Sequence, residues 1–159
     1  QPVDFVLPEN WVDSKIPKTD MVISHPRDWD VVFFGEDDNF ILLKNDDGTL
    51  SIYGGYLEES TDYTSDSGQL FAIQTYLETE DYDYYNERSA NVEVFSQNKV
   101  YMVEYSVRED SGDDIETKIL SYIFTPGGEQ FIFYCETTRD EFAQIDMLQI
   151  QEVFGSIRK

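Results

Sequence analysis

Between residues 21 and 34 two short apolar runs, Met21-Val22-Ile23-Ser24 and Val31-Val32-Phe33-Phe34, flank the corner His25-Pro26-Arg27-Asp28-Trp29. Proline has no backbone N–H to give to a strand ladder, so a strand that reaches Pro26 ends there. Trp29 then offers a large apolar anchor from which the next strand, 30–34, departs. A chain with such a corner is committed to a β-rich core, and the same punctuation continues downstream. Residues 40–44 and 49–57 read as further strands, with Gly35-Glu36-Asp37-Asp38-Asn39 and Asn45-Asp46-Asp47-Gly48 as turns. Gly54-Gly55, inside the second of these strands, predicts a bulge or a close backbone approach.

Four more strands are expected at 92–96, 100–108, 116–125 and 130–137, turning at Asn98-Lys99, Asp110-Ser111-Gly112-Asp113 and Pro126-Gly127-Gly128. Tyr101, Val103, Tyr105 and Val107 alternate with Met102, Glu104 and Ser106, as in a half-buried antiparallel strand. Residues 118–124 and 131–134 are apolar on both faces, which places them mid-sheet with cover on both sides. Asp66 with Gln69 resembles a capping box, and Leu70, Ile73 and Leu77 recur at helical spacing. Thr138 with Glu141 predicts a second helix start, followed by Phe142, Ile145, Ile150 and Val153 on one side and Gly155 at the end. Residues 1–20, interrupted by Pro2, Pro8 and Pro17, read as an irregular arm, leaving 21–159 as one domain. The fold class is α+β, an antiparallel sheet packed between helices.

Charge narrows the function classes. Of 159 residues, 33 are Asp or Glu and 11 are Lys or Arg, a formal charge of −22. Such a field repels nucleic-acid phosphates and anionic headgroups, which need clustered cations, and attracts cationic partners. No apolar run approaches the roughly 20 residues of a membrane span. Cys135 is the only cysteine, so no internal disulfide forms, and in Phe131-Ile132-Phe133-Tyr134-Cys135 it reads as a buried apolar residue. The sequence opens Gln-Pro without an initiator Met, so a mature extracytoplasmic protein is expected, secreted or held at the cell surface as a lipoprotein anchored upstream.

The corner from Met21 to Val31, a strand ending in Pro and a Trp that begins the next, resembles the opening of the PsbP-like and Mog-like proteins. The end of the chain is similar to that family too: a hairpin at Pro126-Gly127-Gly128, the strand 131–135, and a helix closing in Val153-Phe154-Gly155-Ser156-Ile157-Arg158. The resemblance runs from Met21 onward and is weakest between Ser60 and Ala90. It implies an α/β/α sandwich around an antiparallel sheet, and a non-enzymatic accessory or binding module. The family includes extrinsic photosystem subunits, a Ran-binding protein and bacterial lipoproteins of unknown role, with no shared catalytic constellation to carry over.

Residue by residue, the chemistry on offer is modest. His25, the only histidine, excludes multi-His metal sites, and its place before Pro26 favours a structural role over a triad with Ser24 and Asp28. A glycosidase needs two carboxylates in different environments, for which only strand residues such as Glu104 and Glu136 qualify. No organic cofactor is expected; calcium suits the acidic turns 36–39, 45–48 and 110–114, although none has EF-hand spacing. The strongest binding-site candidate is the acidic, tyrosine-rich connection after the first helix, with Tyr76, Tyr82, Tyr84, Tyr85, Asp81 and Asp83. Aromatic faces beside carboxylates suit a glycan or a cationic protein partner. The function expected is a non-enzymatic extracytoplasmic binding domain. The rivals are an acidic inhibitor or immunity-type protein that blocks a basic active site, and a carboxylate-based glycan hydrolase.

Overall fold

The computed structural model describes residues 3–59 and 65–159; Gln1 and Pro2 of the expected arm lie outside the described residues, as do residues 60–64. Among the described residues nine strands and two α-helices follow one another: β1 Trp11–Lys15, β2 Val22–Pro26, β3 Asp30–Phe34, β4 Phe40–Lys44, β5 Leu50–Tyr56, α1 Asp66–Thr79, β6 Tyr84–Phe95, β7 Asn98–Arg108, β8 Glu116–Phe124, β9 Gln130–Thr137 and α2 Gln144–Gly155. β1 and β2 form a two-stranded hairpin, and the rest build an antiparallel seven-stranded sheet in the order β3-β4-β5-β9-β8-β7-β6. The fold is α+β, as expected. β8 and β9, apolar on both faces, occupy the middle of the sheet.

Two apolar layers flank the sheet. On one face Ile41, Leu43, Ile52, Ile119, Phe133 and Cys135 meet Ile150, Val153 and Phe154 of α2, together with Ile16, Ile23 and Trp29 from the β1–β2 region. On the other, Ile73 and Leu77 of α1 cover Tyr101, Val103, Tyr105, Val107 and Leu120. Cys135 is fully buried and burial pushes its thiol up, which suits packing and not nucleophilic chemistry. The close approach predicted at Gly54 is present: a Cβ there would lie 1.9 Å from the Ile132 carbonyl oxygen of β9.

Several expectations need correction. The N-terminal arm is not irregular throughout: Trp11–Lys15 pairs with β2 in register Trp11↔Pro26 to Lys15↔Val22. The turn placed at Asn98-Lys99 falls two residues earlier, at Ser96-Gln97, and Asn98 opens β7, its amide donating to the Phe154 and Ile157 carbonyls. The first helix is capped by Ser65, whose Oγ accepts from the Gly68 N–H, and not by Asp66. The second helix begins at Gln144: the buried carboxylate of Asp146 accepts from the Ala143 N–H at 2.9 Å and from Arg139 at 2.8 Å. Glu141 instead pairs with Arg88, and Ile145 faces solvent.

The opening corner is architectural. β2 stops at Pro26, Trp29 is buried, and β2 and β3 belong to different sheets. His25 is buried at 2% exposure. Its Nδ1 lies 2.9 Å from the Pro26 carbonyl and its Nε2 2.8 Å from Ser14 Oγ across the hairpin. Ser24 donates to Asp13 and has no bond to Asp28, so the triad considered from sequence does not assemble.

Candidate functional site

The tyrosine-rich segment is shorter and more ordered than a loop. α1 runs to Thr79 and β6 begins at Tyr84, so only Glu80 to Asp83 connects them. Tyr82 and Tyr85 stack at 6.2 Å, with planes 15° apart, and Tyr85 leans on Tyr105 at 5.6 Å. The pair is half-buried under α1, and the Tyr85 hydroxyl is enclosed without a hydrogen-bond partner among the described residues. Burial, then the charges of Glu87 and Glu78, push its pKa up to about 12. Strand alternation turns Tyr84 to the other side of β6. Asp83 accepts from Arg108 Nε at 2.8 Å, while Asp81 stays exposed. Tyr76 is exposed on α1, and its phenol is near that of Tyr134 of β9.

That last contact leads to a surface that sequence reasoning missed. Cross-strand register sets Val32, Leu42, Tyr53, Tyr134, Leu120 and Val103 in one row across the sheet, all on the α1 side. Seven strands spaced about 4.8 Å span roughly 29 Å, whereas one helix is only about 10–12 Å across with its side chains. α1 sits over β6, β7 and β8. Over β3, β4 and β5 no described element lies on that face. The opposite face has both α2 and the β1–β2 hairpin, which cover it except at the β3 edge, where Phe33 stays 45% exposed.

The bare half carries an aromatic series. Phe34 and Phe40 meet at 5.6 Å, Phe34 and Tyr53 at 6.3 Å edge-on, and Tyr53 stacks on Tyr134 at 5.5 Å with planes 15° apart. Val32, Phe34 and Phe40 are 48%, 37% and 38% exposed, large values for such side chains in adjacent positions. One end of the patch is polar. The Tyr53 hydroxyl donates to Glu136 at 2.9 Å, Lys118 Nζ lies 3.4 Å from the same carboxylate, and Lys44 and Ser51 complete the border. Burial and the adjoining Glu136 carboxylate push the Tyr53 phenol well above its ordinary range, so it stays a neutral hydrogen-bond donor. The arrangement is an apolar, aromatic platform with a satisfied polar rim, the anatomy of a protein-docking surface.

The two strand carboxylates considered for hydrolysis are on opposite sides of the sheet: Glu136 shares the face of Tyr134, while Glu104 alternates away from Val103 and pairs with Arg88 at 3.2 Å. In the acidic turn 45–48, Asn45 accepts from the Leu50 N–H and Asp47 accepts from the Thr49 N–H and hydroxyl. Among the described residues no group of three or more His, Cys, Asp or Glu side chains is gathered for a metal ion. A separate cavity of about 410 Å³ lies beside the C-terminus, but its cations are already engaged. Arg158 binds Asp13 and Ser24 and caps the Phe5 ring at 4.7 Å, and Lys159 faces Glu129.

The fold is shared with two solved structures. The Ran-binding protein Mog1p of Saccharomyces cerevisiae superposes with a TM-score of 0.64 at 8% identity, covering 94% of this chain and 95% of that one. The cyanobacterial PsbP protein CyanoP of Synechocystis sp. PCC 6803 gives 0.56 at 15% identity, covering 96% and 94%. At these identities the likeness establishes a Mog1/PsbP-like fold and nothing finer. No family model and no curated protein sequence matches the chain. Among the described residues no helix is long and apolar enough to cross a membrane.

Proposed function

We propose that this chain is a non-catalytic binding module that docks a cationic protein partner on the bare half of its sheet. The observation that carries the reading is the aromatic series of exposed Phe34 and Phe40 with half-buried Tyr53 on the part of the sheet that α1 leaves open. Aromatic anchors ringed by polar groups concentrate binding energy, because they bury much area at little conformational cost. The −22 charge supplies the second element: it accelerates encounter with a basic partner and makes association sensitive to salt. Mog1p, of the same fold, is a Ran-binding protein, so the scaffold accommodates protein recognition. Tyr76, beside Tyr134, borders this platform, and Tyr82 and Tyr85 with the neighbouring Asp81 and Asp83 belong to the α1-covered half, while Tyr84 faces the other side of β6. An extracytoplasmic address belongs to the proposal as well, and fractionation of native cells tests it.

The decisive experiment compares capture of native partners by the wild-type chain and by Phe34→Lys and Leu42→Lys, at low and high salt. Both variants alter the face without touching the core beneath it. Loss of the same basic partner with both variants, and its release from the wild type at high salt, supports the reading. Retention by both variants refutes it.

A further inference from the structure

The two edges of the seven-stranded sheet are treated differently. β6, at one edge, carries a register shift between Glu87 and Ser89, and its Arg88 is tied to Glu104 and Glu141. Bulges and charged residues are the usual means of keeping an edge from pairing with a foreign strand. β3, at the other edge, has no bulge, and its one charged residue is Asp30 at its first position. Its sequence Asp30-Val31-Val32-Phe33-Phe34 holds no Pro, Lys or bulge, and it pairs only with β4. Its outer rim of backbone N–H and C=O groups has no strand partner among the described residues. Val32 and Phe34 point to the aromatic platform, and Phe33, 45% exposed, points to the other side.

The charge around this edge is one-sided. Asp28 and Asp30 stand at the start of the strand, and Glu36, Asp37 and Asp38 follow its end in a single 3₁₀ turn, all exposed; Arg27 and Lys44, the register partner of Asp30 on β4, are the cations beside them, so carboxylates prevail. An unblocked, apolar strand bracketed by carboxylates at both ends is a template for one kind of visitor. That visitor is an extended apolar segment of about five residues, roughly 17 Å long, with Lys or Arg at each end. A second copy of this chain is disfavoured, because it would bring its own Asp28, Asp30 and 36–38 carboxylates to the same edge.

We propose that β3 takes up a cationic, extended segment of the partner as an eighth strand, extending the aromatic platform across the new edge. The inference rests on the binding role proposed above and specifies its geometry. Main-chain hydrogen bonds along β3 supply affinity, alternate side chains of the visitor continue the Val32 and Phe34 row, and its terminal cations meet the flanking carboxylates.

The test titrates isotope-labelled chain with acetyl-Lys-Lys-Val-Thr-Val-Thr-Val-Lys-Lys-amide, following amide shifts and hydrogen exchange. Two control peptides replace every Lys by Glu, or N-methylate alternate residues to remove the main-chain donors. The expected result is slowed exchange in β3, with affinity at least tenfold weaker for both controls. Phe33→Lys, on the side of β3 away from the platform, is expected to weaken the peptide by a similar factor. Equal binding of the N-methylated peptide overturns strand addition. Peptide-induced shifts at Leu42 and Tyr53 without any in β3 also overturn it, while leaving the platform reading in place. A dimer that forms without peptide and is abolished by Phe33→Lys overturns it in favour of a second copy.

Discussion

Replacing Gly54 by Ala is the sharpest probe of how the platform is held together. The added Cβ would sit 1.9 Å from the Ile132 carbonyl oxygen and 2.8 Å from the Phe133 Cα, both backbone atoms in the middle of β9. Ordinary carbon contacts lie near 3.5 Å, so the two strands must part by more than about 1 Å at a point where neither has a flexible side chain to move. Overpacking of this sort costs about 1–3 kcal/mol, and each β5–β9 ladder bond lost adds about 1 kcal/mol. A loss of about 3–4 kcal/mol is expected, near 10 °C in Tm for a chain of this size. Gly112→Ala is the control: its φ of 98° makes Ala strained, but nothing lies within 4 Å of the added methyl. That variant should lose only about 1–2 kcal/mol. Denaturant unfolding measures both, and near-UV circular dichroism follows the Tyr53–Tyr134 stack, whose strands are the ones forced apart. If Gly54→Ala costs no more than Gly112→Ala, the close approach is not what fixes the β5–β9 pairing.

Three further outcomes follow from the same contacts. Asp146→Ala removes the acceptor for the Ala143 N–H and for Arg139, so α2 should lose about 1–3 kcal/mol, read as a lower denaturant midpoint with an unchanged slope. At high pH, burial holds the Tyr85 and Tyr101 phenols up to about 12, with the Asp66 hydrogen bond adding to the shift of Tyr101. These groups favour the folded state fully below the ordinary tyrosine value near 10, and that contribution disappears as pH rises through about 12. Tyrosinate absorbance should therefore rise together with loss of circular dichroism in this window; ionisation of both groups without unfolding would contradict the burial. At low pH, the hydrogen bond from Ser24 and then the Arg158 contact hold Asp13 below the usual carboxylate range. Its contribution is present above that range and is lost as pH falls through the lowered value; being half exposed it is small, and Asp13→Asn should flatten the acid limb only slightly.

Most of the scaffold was legible because its strands obey period two between turn residues. The strand read at 130–137 is β9 to the residue, and 30–34 and 40–44 match β3 and β4. What was missed has local causes. Tyr84 to Asn91 lies at a sheet edge, where neither face must be apolar, and the bulge between Glu87 and Ser89 slips the alternation by one. The hairpin strand β1 has no apolar stripe and is held by non-local partners, His25 for Ser14 and Arg158 for Asp13. The start of α2 was misplaced because Asp146 caps it from inside the helix while Thr138 donates its N–H to Thr49.

The candidate site was hidden for a different reason. Phe34, Phe40, Tyr53 and Tyr134 come from four strands, and in the sequence each is one more apolar residue in an alternating run. Only the antiparallel junction of β5 with β9, which joins residues some eighty positions apart, puts Tyr53 on Tyr134 and makes the series continuous. Yet a bare face was implicit in the element count. A sheet of seven strands is roughly 29 Å wide, and a helix on each face closes less than half of that width. Each face therefore needs a second cover or remains open. The N-terminal hairpin β1–β2 supplies that cover beneath α2, burying Ile16 and Ile23. On the α1 side the described chain offers no counterpart, and there Val32, Phe34 and Phe40 stand exposed where a solvated sheet face would carry mostly Thr, Lys and Glu. The open face and the unblocked edge of β3 thus meet at the same corner of the molecule, and a partner that covers one is positioned to pair with the other.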